Sequence, residues 1–169
     1  MGNTGLVRLL RNDTETYTHS IRVAEYAKTI AHIEGLDTDL MEEVGYLHDI
    51  GKYFVPEQIL HKKEELTENE RKIINLHPYL GYLYLRTLGV SERECQIILY
   101  HHNIQEAEKQ LSNEDVLYTK ILATCDIFDA LTSNRSYRDA LSRETAFKIM
   151  STEKNASADI METLRCALG

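Results

Sequence analysis

Residues 112–131 read SNEDVLYTKILATCDIFDAL and decide the fold class of this chain. Apolar side chains recur at helical spacing along the stretch, and Ser112 is a typical N-terminal cap. Asp126 stands in the most apolar part of this predicted helix. Because burying an unpaired carboxylate costs much free energy, Asp126 must be paired or bind a metal. The stretch therefore predicts both a long helix and a charged group in the protein interior.

The rest of the chain shows the same helical pattern. Residues 14–34 place apolar side chains on one helix face, and two capping boxes, Thr67 with Glu70 and Ser91 with Glu94, predict helix starts. Further helices are predicted after Asp37 up to His48, on either side of Pro78, over 143–150 and over 158–168. Since we find no alternating strand pattern of useful length, the sequence predicts an all-α fold of about seven helices, with residues 1–169 as a single compact domain.

Composition limits the class of protein. The chain has 169 residues, 43% of them hydrophobic, which is typical of one globular domain. The formal net charge of −8 disfavours long nucleic acids and anionic membranes as partners, but a small phosphate ligand stays compatible because bound metals can outweigh it. Three scattered cysteines, Cys95, Cys125 and Cys166, indicate core residues in a reducing compartment. With no signal peptide in residues 1–10, we expect a cytoplasmic protein.

Five of the seven histidines fall at the inward edges of predicted helices, and three acidic residues accompany them. This set consists of Glu15, His19, His48, Asp49, His77, His101, His102 and Asp126. A single histidine on an apolar face is more often a hydrogen-bonded core residue, and Asp126 alone could belong to a buried ion pair. Taken together, imidazole and carboxylate groups favour a site for Mn, Fe or Zn, and the lack of thiolates argues against structural zinc. His32 and His61 fit no such pattern and are expected at the surface.

The segment Leu47-His48-Asp49-Ile50-Gly51-Lys52 resembles the signature of the HD superfamily of metal-dependent phosphohydrolases. Other motifs stand around it in a fixed order: His19-Ser20-x-Arg22-Val23-Ala24, Pro56-x-x-Ile59-Leu60, Leu66-Thr67-x-x-Glu70, His77-Pro78-x-x-Gly81, His101-His102 and Asp126-x-Phe128-Asp129-Ala130-Leu131-Thr132-Ser133-x-Arg135-x-Tyr137-Arg138. That order is similar to the HD-GYP branch, whose known members hydrolyse cyclic di-GMP. The resemblance covers the core of the chain, residues 14–150.

The resemblance implies a centre with two divalent metals, and a third in some members. It implies that His19, His48, Asp49 and Asp126 bind one metal, with Asp49 as the bridge, and that His77, His101 and His102 bind the second. Glu15 matches an acid that helps to hold the third metal with His19. Iron or manganese is expected from the family, while zinc, magnesium and nickel are also compatible.

The resemblance also implies how a phosphate ester is bound and cleaved. A hydroxide activated by the metals attacks phosphorus, so the catalytic residues are Asp49 and Lys52. Lys52 matches a lysine that touches the scissile phosphate, and Arg135 and Arg138 match positions that contact substrate phosphates. Outside the motif, Lys52, Arg135 and Arg138 would be interpreted as solvated charges.

The chain departs from the HD-GYP branch after His101-His102. The branch continues with Glu and an Asp-Gly-x-Gly-Tyr-Pro loop that helps to bind the dinucleotide, whereas Asn103 follows here and no Gly-Tyr-Pro occurs. Three hypotheses follow: a degenerate HD-GYP-like phosphodiesterase of a (cyclic di)nucleotide, a general HD phosphohydrolase acting on a nucleotide monophosphate or diphosphate ester, and a metal-bound module that binds a nucleotide or a partner protein without turnover. A signalling partner could act in trans. We expect a small model diester to be cleaved faster than cyclic di-GMP.

Overall fold

The computed structural model describes residues 13–134 and 139–169, and all regular secondary structure in these ranges is helical. The helices are α1 Thr14–Ile33, α2 Thr38–Leu47, α3 Glu57–Leu60, α4 Glu68–Ile74, α5 His77–Thr87, α6 Glu92–Tyr100, α7 Ile104–Gln110, α8 Asn113–Thr132, α9 Arg143–Met150 and α10 Ala158–Leu168. A 3-10 helix, Ile50–Phe54, follows α2. The all-α prediction is confirmed. Within the described ranges, no helix has the length and apolar character needed to cross a bilayer.

The helix starts lie where the capping residues predicted them. Both capping boxes form, at Thr67 for α4 and at Ser91 for α6, and the Ser112 side chain accepts the Asp115 N–H at the start of α8. Pro78 lies in the first turn of α5, where its missing N–H costs nothing. The described ranges hold more helices than the seven expected, because the single-turn α3 and the separate helix α7 were not anticipated.

The core lies between the two longest helices and the helices packed on them. α1 contacts α2, α8 and α10, while α5 packs on the 3-10 helix and on α6. Val23 and Ile30 of α1 and Ile121 and Leu122 of α8 are completely buried. Each fully buried aliphatic side chain of this kind contributes about 1.5–3 kcal/mol to folding. The same two helices also carry the buried polar residues His19 and Asp126. Two cysteines are buried in the core as expected, and the third, on α10, is exposed.

Two glycines allow backbones to approach each other beside the site. A Cβ at Gly45 of α2 would lie 2.6 Å from the Cα of Ala24 on α1. A Cβ at Gly51 would lie 1.8 Å from the carbonyl oxygen of His77 and 2.6 Å from the amide nitrogen of Gly81. No side chain fits at such distances. Glycine at position 51 therefore lets the 3-10 helix lie against the start of α5.

Candidate metal centre

Seven of the eight predicted ligands converge at one end of the core. His19 comes from the interior of α1 and Asp126 from the interior of α8, whereas the other five lie at helix ends or next to them. The buried members are His19, His48, Asp49, His77, His101 and Asp126. His102 is the outermost, with 43% of its side chain exposed. Neighbouring imidazole rings of His19, His48, His77 and His101 have centroids 5.2–5.4 Å apart.

Asp49 lies at the middle of this cluster. Its Oδ2 atom is 3.5 Å from the Nε2 atoms of both His19 and His48, and its Oδ1 atom is 3.2 Å from Nε2 of His77. The Lys52 ammonium donates a hydrogen bond of 2.6 Å to Oδ2. Burial alone would raise the pKa of Asp49, but the positive charge of Lys52 holds that pKa well below its ordinary value. Asp49 is thus an ionised carboxylate that faces the imidazole rings of His19, His48 and His77.

The candidate ligands around Asp49 divide into two groups. We call His19, His48 and Asp126 the carboxylate half, and His77, His101 and His102 the imidazole half. In each half, one donor atom from every residue lies within 4.8 Å of the others, as is also true for His48, Asp49 and His101. In the carboxylate half, Asp126 Oδ1 is 3.0 Å from Nε2 of His19 and 3.7 Å from Nε2 of His48. The structure brings these residues together in the two groups that the resemblance implies, while their role as ligands stays a prediction.

The ring orientations of three histidines fit a bound cation. In His48, His77 and His101, Nδ1 lies 2.6–2.9 Å from the backbone carbonyl oxygen three residues earlier. Because a carbonyl only accepts, Nδ1 must carry the proton, and Nε2 then presents a lone pair. These three Nε2 atoms are buried and make no hydrogen bond within the described ranges. Burial also lowers the pKa of His101 well below its ordinary value, so the ring is neutral. Buried imidazole lone pairs without a hydrogen-bond partner, next to carboxylates, are donor atoms that could coordinate Mn, Fe or Zn.

His19 is held differently, by a carboxylate from another helix. Its Nδ1 lies 2.7 Å from Oδ2 of Asp129, and Arg22 donates hydrogen bonds of 2.6 and 2.9 Å to the two oxygens of that carboxylate. Burial alone would raise the pKa of Asp129, but the hydrogen bonds from His19 and Arg22 lower it. Asp129 and Arg22 both belong to the HD-GYP-like motifs, but the motifs alone do not indicate that these two side chains meet beside His19. Their spacing was the available signal, since Asp129 is one turn after Asp126 and Arg22 one turn after His19.

The remaining predicted residues lie around or outside the centre. Glu15 lies one turn before His19 but belongs to none of the three donor groups; instead it lines a neighbouring cavity together with Lys52. The two predicted phosphate-binding arginines, Arg135 and Arg138, fall outside the described residues. His32 and His61 are exposed, as expected from the sequence.

Comparison with known proteins places this geometry in a family. The family model described as HD domain matches residues 6–160. A cyclic di-GMP phosphodiesterase of Pseudomonas aeruginosa is 34% identical over 157 residues, which are 86% of this chain and 37% of that protein. The 3'3'-cGAMP-specific phosphodiesterase 2 of Vibrio cholerae is 34% identical over 137 residues, 74% of this chain and 26% of that protein. The chain thus spans 26–37% of the length of these two relatives.

Solved structures with low sequence identity share the fold. The HD domain of the Listeria monocytogenes phosphodiesterase PgpH, in complex with cyclic-di-AMP, superposes with a TM-score of 0.69 at 20% identity, covering 97% of this chain and 93% of that one. A predicted HD superfamily hydrolase involved in NAD metabolism, from Clostridium acetobutylicum, gives a TM-score of 0.61 at 22% identity, with coverage of 99% and 82%. From the matched family model and the arrangement of its helices, this chain belongs to the HD domain family.

Proposed function

We propose that this protein is a metal-dependent phosphodiesterase acting on a cyclic dinucleotide or a related nucleotide diester. The observation that carries the proposal is the set of buried, unpartnered Nε2 atoms of His48, His77 and His101, which surround the ionised Asp49. Such a set has no use in an apolar core, because each buried unpaired polar atom costs free energy. The named activities of the relatives, on cyclic di-GMP and on 3'3'-cGAMP, support the substrate class.

Each half of the centre would hold one divalent metal, with Asp49 between them and iron or manganese as the expected ions. When bound, two such cations would activate a water molecule and neutralise negative charge on the phosphate. The hydrogen bond from Lys52 to Asp49 keeps the ammonium group beside the proposed metals, where the phosphate of a substrate would bind. Its positive charge can therefore stabilise charge that develops on the phosphate oxygens. Cys125 is no rival nucleophile, because burial raises the pKa of its thiol and keeps it protonated.

The cavity next to Lys52 offers room for the organic part of the substrate. It has a volume of about 530 Å³, which lies in the range of small-molecule sites. Ile59 and Leu66 are among its apolar lining residues, and Lys63 and Arg71 are among its cations. A nucleoside could place its base against the apolar residues while its phosphate reaches the metals. Arg135 and Arg138 would add contacts to phosphate by the fork geometry of their guanidinium groups.

The structure of the segment after His101-His102 supports weaker binding of a second nucleotide than in the HD-GYP branch. Where the HD-GYP branch has its loop, this chain forms helix α7, which Asn103 caps through the N–H of Glu106. Asn155 fixes the start of α7, donating to the His102 carbonyl oxygen and accepting from the Ile104 N–H. This observation favours small diesters over cyclic di-GMP, and it also keeps the general HD phosphohydrolase as the second candidate.

Metal analysis by mass spectrometry, followed by steady-state kinetics on the metal-loaded protein, tests the proposal. We expect about two metals per chain, and faster turnover of a model diester than of cyclic di-GMP, 3'3'-cGAMP or a model monoester. Arg135→Ala should weaken binding of each phosphate substrate by about 1–3 kcal/mol, because a charge-assisted hydrogen bond is lost. His32→Ala is the matched control and should behave as wild type.

Other outcomes separate the rival functions. Turnover of the monoester alone would identify a general phosphohydrolase. Metal and nucleotide binding without turnover would identify a binding module, and a protein that binds no metal would contradict all three hypotheses. Efficient cleavage of cyclic di-GMP would show that other residues replace the missing loop.

A further inference from the structure

The buried histidines of the centre are oriented in two ways. His48, His77 and His101 lie at or next to the ends of helices, where the last carbonyl groups have no helical N–H partner. Each ring donates Nδ1–H to such a carbonyl. His19 lies inside α1, where the nearby carbonyls already accept helical hydrogen bonds. Its ring therefore needs a partner from another part of the chain.

Asp129 of α8 is that partner, and it is itself held firmly. Its carboxylate is completely buried, with Oδ2 at 2.7 Å from Nδ1 of His19. Arg22 contacts both oxygens, at 2.6 and 2.9 Å, and the Ser133 hydroxyl donates to Oδ1 at 3.0 Å. The two contacts of Arg22 define the plane of the carboxylate and balance its charge in the interior. Asp129 is thus ionised and fixed before any metal binds.

We propose that Asp129 is a positioning residue that turns Nε2 of His19 toward the metal and strengthens His19 as a ligand of the carboxylate half alone. A carboxylate on the far nitrogen of a ligating histidine fixes the ring and makes the ligating nitrogen more basic. The hydrogen bonds of Asp129 go to His19, Arg22 and Ser133, whereas His77 and His101 in the imidazole half bond to backbone carbonyls. The effect is therefore local to one metal. This inference rests on the proposed metal centre.

The test is a Mn²⁺ titration of the metal-free protein by calorimetry, with metal content measured by mass spectrometry. Wild type should show two sites. Asp129→Asn keeps an oxygen that can accept from Nδ1 but removes the charge, so one site should weaken roughly 10–100-fold while the other stays within about twofold. Ser133→Ala, which removes a hydrogen bond to the same carboxylate without touching His19, should bind as wild type. His102→Ala should weaken the other site.

The outcomes distinguish positioning from a purely structural role. If Asp129→Asn is folded by circular dichroism and weakens both sites equally, or neither, the inference is wrong while the metal centre stands. If wild type binds no metal, the proposed centre and this inference both fail. Should Asp129→Asn not fold, Arg22→Lys carries the test, since lysine keeps a positive charge beside Asp129 but cannot contact both of its oxygens as the guanidinium does. It should weaken one site by several-fold, and equal weakening of both sites, or of neither, would again overturn the inference.

Discussion

The two halves of the centre differ in where their ligands lie and in what holds them. The carboxylate half takes His19 and Asp126 from helix interiors, and Asp126 supplies its carboxylate. The imidazole half consists of three histidines, and carbonyl groups of the same chain segment orient His77 and His101. A helix end can thus orient a ligand without help, because its last carbonyls are available. A helix interior cannot, so its ligand depends on a residue from another helix.

Asp49→Ala should have the largest effect, because Asp49 is the residue shared by both halves. Its removal deprives Lys52 of its carboxylate partner and takes away the one carboxylate that contacts His19, His48 and His77 together. We expect hydrolysis to fall by at least about 10²–10³-fold, with most metal binding lost and the helical circular dichroism retained. The measurement is kinetics on the model diester with metal analysis of the same sample. Activity close to wild type would show that Asp49 is not needed for hydrolysis and would contradict its proposed role as the shared metal ligand.

Gly51→Ala should damage the imidazole half more than the carboxylate half. The new Cβ would lie 1.8 Å from the His77 carbonyl oxygen, so the start of α5 must shift. Overpacking typically costs about 1–3 kcal/mol of unfolding free energy, and a clash with backbone atoms should reach or exceed the upper end of that range. Gly81→Ala is the graded control, because its Cβ would meet its nearest neighbours at 3.3 Å. Urea unfolding and Mn²⁺ titration of both variants test whether Gly51→Ala lowers stability and metal affinity more than Gly81→Ala does. Equal losses in the two variants would contradict the prediction.

The stability of the metal-free protein should depend on pH in opposite directions for the two halves. Burial lowers the pKa of His101 well below 6.5, so the unfolded chain gains a proton first and stability falls as pH drops below 6.5. For His19, burial lowers the pKa, but hydrogen bonds to Asp126 and Asp129 outweigh it and raise the pKa to about 9. The stabilisation from His19 is complete below 6.5 and is lost as pH rises through 9.

Thermal unfolding in a chelator at about pH 5.5, 6.5 and 9 measures both changes in stability, the loss below pH 6.5 (the acid limb) and the loss toward pH 9 (the alkaline limb). Each kcal/mol lost should lower the melting temperature by roughly 2–4 °C for a domain of this size. His101→Gln should flatten the acid limb, and Asp129→Asn should flatten the alkaline limb. A melting temperature that rises steadily from acid to alkaline pH would contradict the contrast.

Much of the fold, and the clustering of seven of the eight candidate ligands, could be predicted from the sequence. Capping residues such as Ser112 marked helix starts, and the buried position of Asp126 followed from its apolar neighbours. Helix α7 was missed because residues 104–110 carry little apolar periodicity. The contact of Asp129 with His19 was missed because periodicity shows which face of a helix is buried, but not which polar groups meet across two helices. The need for glycine at position 51 was likewise not predictable, because it depends on how closely the backbone of α5 approaches.

The carbonyl contacts of His48, His77 and His101 link metal occupancy to local helix opening. Each ring is attached to the last turn of a helix, so unwinding that turn would also rotate the ligand away from the centre. Conversely, a cation that holds Nε2 would oppose fraying at the ends of α2, α4 and α6, because binding only to the closed form adds to its stability. Metal binding would then protect the last turns of these three helices against local unfolding.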